Sequence, residues 1–414
     1  MKSMNNKVVI TGIGIISPFG VGNEIFWKSL IQGKSALRKI TRFDTTSFKS
    51  KMAGEVLNFK IEDFVKNPRL HRIPRISQFT IVAANLAIAD AKFDVKKEDM
   101  TKTGIFFGTC NGPSYSTERI YQSLLEKGPS GVDPLLFQET VFNAPVSNLS
   151  ILLGIKGPCI AFPLGPASGS YALHLALNHL HSGRIDCAIV GASDEHTKVV
   201  HEAFGYLNVL SPDDGGEEKA RPFDKNRNGG VLSEGSCFII LETLEHALQR
   251  GGFIYGEIIG DGMSSDAYKI ADNEPKGLGV ALAMNQAINK AQVEYSAIDY
   301  IVALAYGGRN VDKLETIAIK EIFKDYVFQL PITSIKGAIG ESTGPGGLFN
   351  LATALFAIRD RVIPSTINWQ EQDSDYDLDY VPNVARKKEI TTAMVNAFSW
   401  GGIYSSIIVR RCNA

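Results

Sequence analysis

The chain has 414 residues, with 43 Lys and Arg against 44 Asp and Glu and a net charge of -1. That balance supplies no basic excess for nucleic acid or an anionic membrane surface. No apolar run reaches the roughly 18 residues of a membrane span. The opening MKSMNNKVVITG enters a strand without the apolar stretch of a secretory signal. Five scattered cysteines, Cys110, Cys159, Cys187, Cys237 and Cys412, show no CxxC spacing. They read as reduced thiols of a cytoplasmic protein, with neither a disulfide framework nor a zinc site expected. The length fits two or three average domains or one large α/β unit.

In chain order, Lys7 to Thr11 is a β-branched run that predicts a buried strand. The following Gly12-x-Gly14 opens like a dinucleotide fingerprint. Ser17 stands where the third glycine belongs and Pro18 interrupts, so no nucleotide cofactor is expected. Phe26 to Gly33 reads as a short helix. Leu70 to Lys92 has apolar residues at helical spacing and predicts a long amphipathic helix. Around its start, Lys66, Arg69, Arg72 and Arg75 form a basic cluster. It is either a solvated helix edge or a landing surface for an acidic protein. Thr103 to Thr109 predicts a buried strand, followed by Cys110-Asn111-Gly112 and a helix from Tyr115 to Lys127.

The most informative stretch is Gly157 to Ser170, GPCIAFPLGPASGS. It predicts a strand from Cys159 to Leu164, a tight turn, and a helix that opens at Ala167-Ser168-Gly169 and stops at Gly183. An elbow of this kind presents a nucleophile at a helix N-terminus, where the dipole lowers a thiol pKa and free amides stabilise an oxyanion. Its apex here is Pro166, which has neither a nucleophile nor a backbone N–H. Proline also fits the first turn of an ordinary helix. The helix carries His174, His179 and His181. Offsets of five and seven give no adjacent i,i+4 pair, so no metal site is expected.

Asp186 to Ser193 predicts a strand, and a Gly-rich turn leads into another at Ser236 to Leu241. Near Arg250-Gly251-Gly252 the pattern begins again, with a strand at IYGEIIG, a helix from Gly277 to Ala291 and a strand from Asp299 to Ala305. The acidic run Gln370 to Asp379 reads as a solvated loop.

Several separated segments carry a family resemblance: VVITGIGIISPFG, the elbow, RPFDKNRNGGVLSEGSCFIILE, ITSIKGAIGESTGPGGL and NAFSWGGIYSS. Over nearly the whole chain they resemble the β-ketoacyl-acyl carrier protein synthases of the thiolase superfamily. The resemblance implies a thiolase fold, an α/β duplication in five αβαβα layers, with halves at 1–250 and 251–414 sharing one core. It also implies a catalytic cysteine and two histidines. Matching the flanking Gly157-Pro158 and Ser168-Gly169 puts that cysteine on Pro166. Counting back from Asp312 and Glu315 puts the first histidine on Leu304, and the second motif puts the other on Glu341. Lys336 is retained, and Trp400 replaces a gating phenylalanine.

Residues 133–154 match the dimer-interface region that walls the acyl pocket. Cys110, Tyr115, Phe137 and Phe142 are therefore expected beside the channel, although aromatic residues at such places equally suit plain core. Within the family the chain is similar to chain-length factors, the ketosynthase β subunits of type II polyketide and aryl-polyene systems. These pair with an active ketosynthase α subunit and shape the channel for the chain carried by the acyl carrier protein. A malonyl-decarboxylating priming subunit and a purely structural or regulatory partner are the alternatives. No cofactor or metal is implied.

Overall fold

The strand that opens the chain, Val8–Ser17 (β1), is buried at every position. Its apolar residues therefore run on without alternating, as in a strand covered on both faces. The computed structural model describes residues 7–269 and 272–412. Further strands follow at Thr103–Gly108 (β2), Cys159–Phe162 (β3), Cys187–Asp194 (β4), Gly235–Thr243 (β5), Gly256–Ser265 (β6), Tyr300–Val302 (β7), Ile332–Thr333 (β8), Thr392–Ser399 (β9) and Ile403–Arg410 (β10).

They form one sheet in the order β8-β7-β9-β10-β6-β1-β5-β4-β2-β3. Counted outward from the middle, each half runs first, fifth, fourth, second and third in its own chain order. The halves meet antiparallel at β1 and β6, where Val8 faces Ile258 and Ile10 faces Gly256. In each half the second strand pairs parallel with the third and fourth.

Helices complete the layers. Arg75–Asp90 (α1) packs on β1, β5 and β4. Ser168–His181 (α2) and Gly346–Asp360 (α5) touch each other between the two half-sheets. Leu278–Ala291 (α3) covers β6 and β10, with Arg309–Phe323 (α4) beside it. The result is the five-layered αβαβα arrangement expected from the resemblance. Among the described residues, no helix is long and apolar enough to cross a membrane.

The Gly12-x-Gly14 pair has a packing role. A Cβ on Gly12 would lie 2.3 Å from Ala87 O, and one on Gly14 would lie 2.1 Å from Ala83 O. The second half repeats this contact: Gly260 would meet Ala287 O at 2.2 Å and Gly262 would meet Ala283 O at 2.1 Å. Glycines on the first strand of each half thus let a helix with alanines every fourth residue lie directly on the sheet. Gly14→Ala is expected to cost at least the 1–3 kcal/mol or so of an overpacked core, read as a lowered urea midpoint. An unchanged midpoint would show that α1 can back away.

Two expectations are corrected, and a third gains detail. The helix expected from Leu70 to Lys92 begins only at Arg75 and ends at Asp90. Pro74 holds Ile73 extended, and Pro68–Arg72 forms a separate 3-10 turn. Arg75 is not part of a solvated edge. It donates to both oxygens of the buried Glu234, at 2.7 and 3.0 Å, and lies 4.5 Å over the Phe79 ring. Lys66, Arg69 and Arg72 remain exposed. The acidic stretch 370–379 is largely exposed, as a solvated loop would be, and is also pinned at a few points. The Gln370 and Glu371 N–H groups donate to Asp224 Oδ2 at 2.5 and 2.8 Å. Arg227 reaches Asp373 at 3.0 Å and the Tyr376 hydroxyl at 2.6 Å. Burial of Tyr376 holds the loop down.

Candidate functional site

The elbow forms as read, in tighter geometry. The strand stops at Phe162, because the Leu164 N–H is taken by Ser168 Oγ at 2.8 Å. Gly165–Ala167 is a 3-10 turn with Pro166 buried in it. Gly165 has φ +67, and a Cβ there would lie 2.1 Å from Ser399 Oγ, so only glycine makes this turn against β9. The amide that proline lacks is one of the unsatisfied donors of a helix start, so the fold tolerates its loss.

Three chain-distant segments meet this apex. Pro166, Leu304, Lys336 and Glu341 line one cavity together with Asn350, Asn396 and Phe398. The cavity has a free volume of about 10 Å³, space for no more than a single water molecule.

Leu304 follows β7. Its N–H and that of Ala305 donate to the two oxygens of Glu315, each at 3.0 Å, and Asn396 donates to the same carboxyl at 2.9 Å. Asp312 accepts from Tyr306 at 3.1 Å and from Phe223 at 2.9 Å. Burial pushes Glu315 up to about 7 and Asp312 up to about 6. The Asp-x-x-Glu pair is thus an anchor for the turn after β7. Lys336 Nζ lies 3.0 Å from Glu341 Oε2, with both side chains buried. Glu341 Oε1 accepts the Thr343 N–H at 2.8 Å. Asn350 donates to the Ala303 and Asn396 carbonyls, while its own Oδ1 is buried without a hydrogen-bond partner.

Beside the cavity, the buried carboxylate of Asp194 gathers Thr109, Cys110 and Asn111 on one side and Thr343 and Gly344 on the other. It ties the loop after β2 to the loop after Glu341. Burial, followed by the nearby Asp194 and Glu341 carboxylates, pushes the Cys110 thiol well up. The sulfur near the cavity is a thiol, not a reactive thiolate.

The other singled-out residues do not line the cavity. Trp400 packs against Phe204 at 4.8 Å, Phe398 at 6.0 Å and Tyr306 at 6.1 Å, forming an aromatic cluster over Phe398. Tyr115, Phe137 and Phe142 are exposed on the surface of this chain, and Phe142 leans over Gly112. His174 is spent inside the core, bonded at 2.8 Å to Asp261 and at 2.8 Å to Ser405. His179 lies against Phe106. Sequence reasoning had not singled out Asn350, Asn396 or Asp194. Asn396 sits inside a segment already quoted for the resemblance, but nothing local marks Asn350 or Asp194.

Models of the β-ketoacyl synthase N-terminal and C-terminal domains match residues 5–247 and 255–370. The chain belongs to the β-ketoacyl synthase family. It is 33% identical over 407 residues to the 3-oxoacyl-[acyl-carrier-protein] synthase 2 of Coxiella burnetii, covering 98% of each chain. It is 34% identical over 409 residues to the protein of that name in Vibrio cholerae, covering 98% of this chain and 99% of the relative. Among solved structures, the ishigamide ketosynthase/chain length factor is similar with a TM-score of 0.93 and 30% identity, over 99% of this chain and 100% of that one. The type II PKS acyl-carrier protein in complex with its hexaketide-bound ketosynthase, AntDE:AntF, gives 0.91 and 28%, over 98% and 100%. In this member of the β-ketoacyl synthase family, the cavity at the elbow is lined without a thiol, a hydroxyl or an imidazole.

Proposed function

We propose that this chain is a non-condensing member of the ketosynthase family that pairs with a catalytic ketosynthase α subunit and shapes the acyl channel, as chain-length factors do. The observation that carries the reading is the cavity lining. Condensation in this family needs a thiolate and two imidazoles. The places assigned to them hold Pro166, Leu304 and Glu341, and these three share one cavity. Lys336 spends its charge on Glu341 there. A decarboxylating subunit would still need imidazole at these positions, so the same lining speaks against that alternative. The curated relatives carry the names of synthases, and this chain is set apart from such chemistry by those positions.

The exposed apolar residues between Tyr115 and Ile151, notably Leu125, Leu135, Phe137 and Ile151, support pairing. Ile151 lies on the helix Ala144–Leu153, which packs against β3, an edge strand of the sheet whose free backbone groups invite a further strand. Tyr115, Phe137 and Phe142 would then reach toward the partner's channel. Lys66, Arg69 and Arg72 would receive an acidic acyl carrier protein.

Co-expression with candidate ketosynthases is expected to give a stable 1:1 complex by size exclusion with light scattering. In the reconstituted pair, Phe137→Ala is expected to lengthen products by whole two-carbon units without changing the partner's acylation rate. A well-behaved monomer indifferent to every ketosynthase offered would sink the pairing. Unchanged product masses for folded Ala variants at Tyr115, Phe137 and Phe142 would sink the channel role.

A further inference from the structure

The Glu341 carboxylate sits in the elbow cavity as a ligand sits in a site. Its two oxygens are taken by different donors. Oε2 meets Lys336 Nζ at 3.0 Å, and Oε1 accepts the Thr343 N–H at 2.8 Å. Lys336 and Glu341 are only 3% and 4% exposed, so each charge depends on its protein partners. The helix α5 opens at Gly346 in the wall of the same cavity, and the positive end of its dipole favours negative charge there. A Cβ on Gly346 would lie 2.6 Å from Lys336 Nζ and 3.2 Å from Glu341 Oε1, so the pair rests directly on the helix start.

The donors are held by bonds that do not involve the Glu341 side chain. The Glu341 N–H donates to Val231 O at 2.7 Å, and its carbonyl accepts from Ser233 at 2.9 Å. The Lys336 N–H donates to Ser334 Oγ at 3.1 Å, and its carbonyl accepts from Gly340 at 2.9 Å. The Thr343 hydroxyl donates to Asp194 at 2.7 Å. Shortening the Glu341 side chain therefore leaves the backbone and the donors in place.

We infer that Lys336, the Thr343 N–H and the start of α5 form a preformed site for a small carboxylate, which the chain fills with its own Glu341. The inference deepens the non-condensing reading and rests on it for its meaning. A cavity that carries its own carboxylate is closed to one brought in on an acyl group.

The size of the ligand follows from covalent structure. Glu341→Ala deletes the fragment CH2–COO− beyond Cβ. A free ion must stand at van der Waals distance from that Cβ, and the cavity otherwise holds no more than a single water. Formate, which lacks the methylene, is the carboxylate that fits, and acetate and propionate are successively too long. Formamide matches formate in shape but brings no charge for Lys336.

Urea unfolding of the full chain and of Glu341→Ala in sodium formate, sodium chloride and formamide tests the site. In the Ala variant, each tenfold rise in formate above its Kd is expected to raise the folding equilibrium constant about tenfold. Formamide is expected to leave it unchanged, and chloride at equal ionic strength, which cannot span both donors, to raise it less. The unaltered chain, and Lys336→Met combined with Glu341→Ala, are expected to respond to formate no more than to chloride. An Ala variant that gains as much from chloride as from formate, or gains from neither, would overturn the site. The same formate response without Lys336 would overturn it too. So would an Ala variant that stays unfolded in every solution, because the site would then not exist without its tether. Acyl transfer by the unaltered chain, with the formate response intact, would overturn the non-condensing reading and leave the site standing.

Discussion

Incubated with an acyl-carrier-protein thioester, the isolated chain is expected to keep its unmodified mass. Acyl transfer needs a nucleophile that is both exposed to the thioester and activated. The elbow apex offers Pro166, and the lining of its cavity offers no thiol, hydroxyl or imidazole. Cys110 lies nearby, but burial and two carboxylates keep its proton on. Cys159, on the outer strand, is also pushed up by burial. Restoring the sulfur alone is expected to achieve nothing measurable. In Pro166→Cys the new thiol would face Leu304 and a Glu341 already paired with Lys336, and loss of one member of a catalytic unit costs about 10⁴-fold or more. Intact-mass spectrometry and a ketoacyl-product assay read both outcomes. A stoichiometric adduct on the unaltered chain would refute the non-condensing reading. Condensation by the single variant would show that fewer parts are missing than the cavity lining indicates.

Glu341→Ala is expected to be among the most destabilising single substitutions in the chain. It would strip the partner from Lys336, whose ammonium is almost fully buried. Leaving one member of a buried pair unpaired costs about 3–5 kcal/mol. The same change removes the acceptor for the Thr343 N–H and disturbs the loop that Asp194 holds from the other side. Replacing the pair together, as in Lys336→Met with Glu341→Leu, is expected to cost much less, because the charges leave with their desolvation penalty and only the Thr343 N–H is left without its acceptor. Urea unfolding of the two variants, measured side by side, separates these cases. A loss below about 1 kcal/mol for Glu341→Ala would mean that water or another group reaches Lys336, and the cavity would then be more open than its volume implies. An equally large loss in the double variant would mean that side-chain shape, not charge, decides stability there.

Much of the molecule can be read from local pattern. The β-branched runs at Lys7–Thr11 and Thr103–Thr109 and the elbow at Gly157–Ser170 need only their own residues to be recognised. Periodicity and glycine placement are properties of neighbouring residues. Pro166 is the clearest case, since the absence of a nucleophile and of an N–H is covalent and holds in any fold. What tertiary structure alone decided is which remote groups meet. Arg75 reads as one more surface cation, yet it is spent on Glu234, 159 residues away. Gly12 and Gly14 look like the start of a nucleotide loop, and only the alanine face of α1 gives them their purpose. The acidic run 370–379 is solvated as its composition suggests, but only folding brings Arg227 and Tyr376 to pin it. Glu341 is, in sequence, merely the wrong residue at one position. Only folding places it 3.0 Å from Lys336 in a space shared with Pro166 and Leu304. The reason is common to all of these: burial and charge pairing are set by the dielectric and the partners that packing brings, and neither is a property of the chain near the residue itself.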